Sequence, residues 1–93
     1  MEKYEDIIKE FNIIENGSEE FIGERLKMEN FFLKMITLEI NNSDLDIEEV
    51  VYNTDLMLDL VKELDNSGLD YREKIIVKYN PMGAWYYEKY EEE

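Results

Sequence analysis

The 93-residue sequence predicts an α+β fold, a small three-helix domain closed by a C-terminal β-hairpin. Three observations carry that expectation. Apolar residues recur at helical spacing in three successive runs. Two turn-forming stretches, "ENGS" and "DNSG", punctuate those runs. The last quarter then changes to two β-prone segments around Asn80, Pro81 and Gly83.

The first helix rests on Tyr4, Ile7, Ile8 and Phe11, which fall at i, i+3, i+4 and i+7, with Ile14 extending the face. Gly17 is free to adopt the left-handed conformation after it, and Ser18 to cap the next helix. Glu19 and Glu20 suit a first turn, where the helix dipole favours carboxylates.

The second helix is expected from Glu19 to about Ile40. Phe21, Ile22, Leu26, Met28, Phe31, Phe32, Leu33, Met35, Ile36 and Ile40 spread around most of its circumference, as in a central helix packed from several sides. Residues 35–40 also alternate, a pattern open to a strand.

A loop then leads to the third helix, where Asp46 and Glu49 form a candidate capping box, and Ser43 with Asp46 a looser one. Ile47, Val50, Val51, Thr54, Met57, Leu58, Val61 and Leu64 make its apolar stripe, and Gly68 lies just past its end. The hairpin pairs Lys74–Tyr79 with Ala84–Tyr90. Pro81 suits the first corner of its turn and Gly83 a left-handed bulge. The competing reading is a helix beginning at Asp70, which would give an all-α four-helix bundle.

Ninety-three residues make a single domain, 1–93, with no linker or internal repeat. There are 24 Asp and Glu against 10 Lys and Arg, a formal net charge of −14. That balance disfavours direct binding to nucleic acid or to an anionic membrane, and attracts basic proteins. The first eleven residues lack the pattern of a signal peptide, and no stretch is apolar enough to span a membrane. A cytoplasmic location is the expectation, in a host cytoplasm if the chain is viral.

Neither histidine nor cysteine is present, which removes most nucleophile–base pairs and the usual zinc ligands. No glycine-rich phosphate loop exists, and the stretch from Asp44 to Glu49 is out of register with a calcium loop. The expectation is a protein that is not an enzyme and uses no cofactor or metal.

The acidic stretch is the feature that points to a use. Nothing between Lys34 and Lys62 is basic, while seven carboxylates lie there. On a helix running from Asp44 to Glu63, the residues Asp44, Glu48, Asp55 and Asp59 share a narrow arc, with Glu63 at its edge. Glu39, Asp46 and Glu49 broaden the negative surface. Like charges four apart destabilise a helix, and a solvated face is the ordinary explanation for a charge run. The total lack of lysine in the interval favours another: a row of carboxylates standing in for phosphates before a protein that reads phosphates with Lys and Arg. Trp85, Tyr86 and Tyr90 add candidate hot-spot aromatics. The partner-binding residues expected are therefore Asp44, Asp46, Glu48, Glu49, Asp55, Asp59, Glu63, Trp85, Tyr86 and Tyr90.

In size and acidity the chain resembles phage-encoded DNA mimics, among them anti-CRISPR and anti-restriction proteins and inhibitors of uracil-DNA glycosylase. The resemblance is one of composition and carries no residue over. It implies a stoichiometric inhibitor of a nucleic-acid-binding protein. The rivals are an immunity protein or antitoxin that neutralises a basic nuclease, and a regulatory interaction module.

Overall fold

The computed structural model describes residues 3–17, 19–42, 44–80 and 82–91. Among them the elements run α1 (Tyr4–Glu10), β1 (Ile14–Glu15), β2 (Glu20–Glu24), α2 (Arg25–Ile40), α3 (Ile47–Asp65), β3 (Lys74–Asn80) and β4 (Ala84–Lys89). The fold is α+β: the four strands form one antiparallel sheet in the order β1-β2-β3-β4, and the helices pack on one of its faces. The four-helix alternative is not what is seen.

The largest departure from the sequence reading lies at residues 20–24. They were expected in the second helix and form a strand instead, flanked by β1 and β3. A two-stranded hairpin is marginal in water, and β2 supplies the further strand that 74–89 requires. Its pattern has period two: Phe21 and Gly23 are buried, while Glu20, Ile22 and Glu24 face outward. Phe21 sits opposite Val77 and Gly23 opposite Ile75, so the inner face is continuous across the sheet.

Helix α1 correspondingly ends sooner than expected. Asn12, at φ 55°, is its left-handed terminator, and Ile13 N–H reaches back to the Ile8 carbonyl at 2.9 Å in a Schellman arrangement. Ile13 is thereby swung into the core, and Ile14 lies exposed on β1 instead of on the helix. Gly17 is left-handed, at φ 83°, but serves the connection between β1 and β2. Ser18, Ser43 and Pro81, read as caps and a turn corner, lie outside the described residues.

Helix α2 begins at Arg25 without a side-chain cap. Its first two N–H groups donate to carbonyls of the segment before β3, Arg25 to Glu73 at 2.8 Å and Leu26 to Tyr71 at 3.1 Å. It is helical throughout 35–40, and only one side of it is core: Met28, Phe31, Phe32 and Ile36 are buried, whereas Leu26, Leu33 and Ile40 are exposed. The expectation of packing from several sides is therefore corrected. Phe21, Phe31 and Phe32 meet at ring distances of 5.2–6.2 Å, joining sheet to helix.

Beyond α3, Gly68 is left-handed as its position implied, at φ 76°. In the hairpin Gly83 is left-handed too, at φ 94°, and donates to the Asn80 carbonyl at 2.8 Å. The hydroxyl of Tyr52 on α3 rests against this turn, 2.6 Å from where a Cβ on Gly83 would lie.

Candidate functional site

Helix α3 turns Met57, Leu60 and Leu64 into the core and leaves Glu48, Asp55, Asp59 and Glu63 exposed on the opposite side. Among the described residues none of these four carboxylates has a lysine or arginine partner. At about 1.5 Å per residue, Asp55, Asp59 and Glu63 stand about 6 Å apart along the axis. Glu48 precedes them by two turns.

The sequence-level row needs two corrections at its start. Asp44 is not on the helix: it lies in the preceding turn, its N–H held by the Asn42 side chain at 3.0 Å. Asp46 is the N-cap, accepting the Glu48 N–H at 3.1 Å, so its carboxylate is committed to ending the backbone ladder. Glu49 closes no box with it; it sits exposed on the flank of α3 nearest Asn53.

The apolar stripe is corrected as well. Ile47 is 75% exposed and Val51 55%, because at about 3.6 residues per turn both lie well round the helix from the buried Met57, Leu60 and Leu64. With Ile40 and Leu45 nearby in the chain, also exposed, they border the acidic arc. Sequence periodicity placed Ile47 and Val51 in the core. Only the packing of Met57, Leu60 and Leu64 against the sheet and α2 shows which edge of that stripe is surface.

The aromatic candidates divide three ways. Trp85 is half-buried and packs on Phe32 at 5.1 Å, Tyr79 at 5.0 Å and Phe21 at 5.9 Å, so it belongs chiefly to the sheet–helix interface. Tyr86 is exposed on the outer face, opposite Lys78. Tyr90 follows β4 and lies beneath the Lys74 ammonium, 5.6 Å away. These three do not form one surface with the α3 carboxylates.

Two clefts open on either side of Trp85 and Met35. The first, of about 310 Å³, is lined by Tyr4, Phe21, Phe31 and Phe32, with Glu15 at its polar end. Burial and the neighbouring Glu15 carboxylate push the Tyr4 phenol up to about 12. The second, of about 260 Å³, lies where α2, α3 and the sheet converge, between Glu19, Met35, Glu39, Asn53, Met57, Tyr79 and Trp85. Glu39 accepts a long hydrogen bond from the Asn53 amide at 3.4 Å, and its other oxygen, Oε2, is buried without a partner. Burial raises this carboxyl above its ordinary value, against the smaller effect of the amide.

Sequence reasoning missed the buried charge on α2. Arg25 is 5% exposed, its guanidinium donating to the Leu69 carbonyl at 2.6 Å and to Asp65 at 3.4 Å, with Glu29 at 3.6 Å and the Tyr71 ring 4.9 Å away. This cluster ties the start of α2 to the end of α3 and the segment before β3. Its role is structural. Among the described residues no group of His, Cys, Asp or Glu is placed to hold a metal ion, and no helix is long and apolar enough to cross a membrane. No protein-family model, curated protein or solved structure matches the chain.

Proposed function

We propose that the protein is a stoichiometric inhibitor that occupies the nucleic-acid site of a basic partner, using the outer face of α3 in place of phosphates. The observation that carries this reading is the exposed row Glu48, Asp55, Asp59 and Glu63 on one helix, with no lysine or arginine partner among the described residues. Carboxylates left without counter-charges keep their full attraction for Lys and Arg on a partner and steer its approach. Four charges over about 22 Å are far sparser than duplex DNA, which carries about one per 1.7 Å. The row therefore matches chosen phosphate-contact points, and the remaining excess of charge supplies the long-range field. Ile47 and Val51 beside it offer apolar contact that a phosphate backbone lacks, which favours a protein partner held by a mixed surface. The mode of action is occupancy without catalysis, in the cytoplasm where such partners work.

Capture of the partner from the producing cell or its host, followed by titration of the complex with that partner's nucleic acid, tests the reading. One-for-one exclusion of nucleic acid supports it. A stable ternary complex overturns mimicry and favours the immunity-protein arrangement, in which the inhibitor binds beside the active site.

A further inference from the structure

The cleft at Glu39 is built unlike the α3 surface. Two aromatic rings, Tyr79 and Trp85, stand 5.0 Å apart in an edge arrangement on neighbouring strands and form one wall. Met35 and Met57 form polarizable apolar sides. Two carboxylates, Glu19 and Glu39, lie at its polar end, and among the described residues neither has a lysine or arginine partner. The Glu39 Oε2 is shielded from water and unbonded. A buried polar atom without a partner is costly and uncommon, so Glu39 is held here at the expense of its hydration. No sequence feature announced this pocket, because its residues come from α2, α3, β3, β4 and the turn before β2.

We propose that this cleft binds a planar guanidinium group, as carried by an arginine side chain. Negative ring faces and a carboxylate together select a cation. About 260 Å³ is below the range of drug-sized sites, about 300–1,000 Å³, and suits a side-chain head group better than a nucleotide. A guanidinium is chosen over an ammonium for three reasons. It is weakly hydrated, it stacks on aromatic faces, and its forked donors can meet a carboxylate and a neighbouring amide oxygen together. Asn53, whose amide nitrogen donates to Glu39, also lines the cleft, and its amide oxygen is the acceptor this assignment uses. The two Glu39 oxygens are equivalent and only exchange places when the last side-chain bond turns, so the guanidinium meets the carboxylate charge as a whole while one oxygen keeps the buried position.

The guanidinium has two possible sources, free arginine or an arginine of the proposed basic partner. Only the second rests on the inhibitor reading, and the tests separate them. Trp85 is the sole tryptophan, so its fluorescence reports the site. The isolated protein is titrated at constant ionic strength with ethylguanidinium, with butylammonium, and with ethylurea as the neutral planar analogue. A saturable response to ethylguanidinium, at least tenfold tighter than to ethylurea and lost at least tenfold in Glu39→Gln, is the result expected. Amide shifts confined to Glu39, Asn53 and Trp85 should accompany it. Equal responses to ethylguanidinium and ethylurea, an unchanged affinity in Glu39→Gln, or tighter binding of butylammonium each overturn the proposal. Glu39→Gln relieves a buried charge, so its fold is expected to persist, and Tyr79→Leu provides a second variant that removes one ring. If free arginine binds no better than ethylguanidinium while Glu39→Gln weakens the captured partner, the partner supplies the group. If free arginine binds tightly and the partner is indifferent, the site serves a metabolite. Either result leaves the guanidinium assignment standing independently of the inhibitor reading.

Discussion

Ile13 and Gly23 fit against each other so closely that a Cβ on Gly23 would lie 2.7 Å from Ile13 Cδ1 and 3.0 Å from Met28 Sδ. Gly23 has an ordinary strand backbone, so space, not φ, demands the glycine. We expect Gly23→Ala to destabilise the fold by about 1–3 kcal/mol through overpacking. Ile13→Val removes the offending methyl and alone costs about 0.5–1.5 kcal/mol. In the double variant the two losses should fall short of their sum by at least about 0.5 kcal/mol in urea midpoints. Strict additivity would show that the two side chains do not compete for that space.

Removing Arg25 leaves Glu29 as a buried, unpaired carboxylate. Arg25→Met should cost about 3–5 kcal/mol, and Arg25→Met with Glu29→Leu should recover much of that loss. Asp65 is 74% exposed at its side chain, so Asp65→Asn should change stability by less than about 1 kcal/mol. Thermal unfolding of the three variants checks the order. A larger loss from Asp65→Asn than from Arg25→Met would contradict it.

Stability should rise on mild acidification. Burial raises both Glu29 and Glu39 above the ordinary 4.5; Asp65 adds to the effect at Glu29, and Arg25 opposes it. A carboxyl whose folded value is raised binds its proton more tightly in the folded chain than in the unfolded one. Its unfavourable contribution is therefore complete above the folded value, declines as pH falls through it, and is gone below 4.5. Surface repulsion at −14 acts in the same direction. Urea midpoints between pH 7 and 5 should increase as pH falls. Glu39→Gln should raise the midpoint at pH 7 and flatten the dependence. For the same reason moderate salt should leave stability equal or higher, through screening of like charges.

The α3 surface makes a kinetic prediction. Changing Glu48, Asp55, Asp59 and Glu63 to Gln or Asn should lower the association rate with the captured partner about tenfold or more at low salt, the effect shrinking as salt is raised. Ile47→Ser with Val51→Ser should act mainly on dissociation, since apolar contact forms after encounter. Neither set should reduce thermal stability appreciably. A control neutralising Glu5, Asp6, Glu10 and Glu91 carries the same change in net charge. If it slows association equally, the overall field is at work and the row of carboxylates is not.

The sequence made the α3 charges and the hairpin legible because both depend on local spacing. Helical periodicity fixes which side Asp55 and Asp59 face, and Gly83 announces its turn by being glycine. What stayed hidden depended on distant partners. Phe21 and Ile22 satisfy a helical pattern in isolation, and only a ladder to Val77 and Ile76 makes them strand. Asp46 carries the same charge as Asp55, and its work as a cap is set by a hydrogen bond to Glu48. Arg25 reads as an ordinary surface cation until the carbonyl of Leu69 arrives beside it.

The pairing of β2 with β3 also governs how the chain is made. About fifty residues separate the partners, and the start of α2 borrows its acceptors from Tyr71 and Glu73. At about 5–20 residues per second, translation leaves β2 waiting some 3–10 s for its neighbour. During that interval Phe21 and Phe32 lack the cover that Val77 and Trp85 later supply. The nascent chain therefore offers a sticky, acidic segment to the ribosome exit and to chaperones, and the fold snaps shut only once β3 emerges.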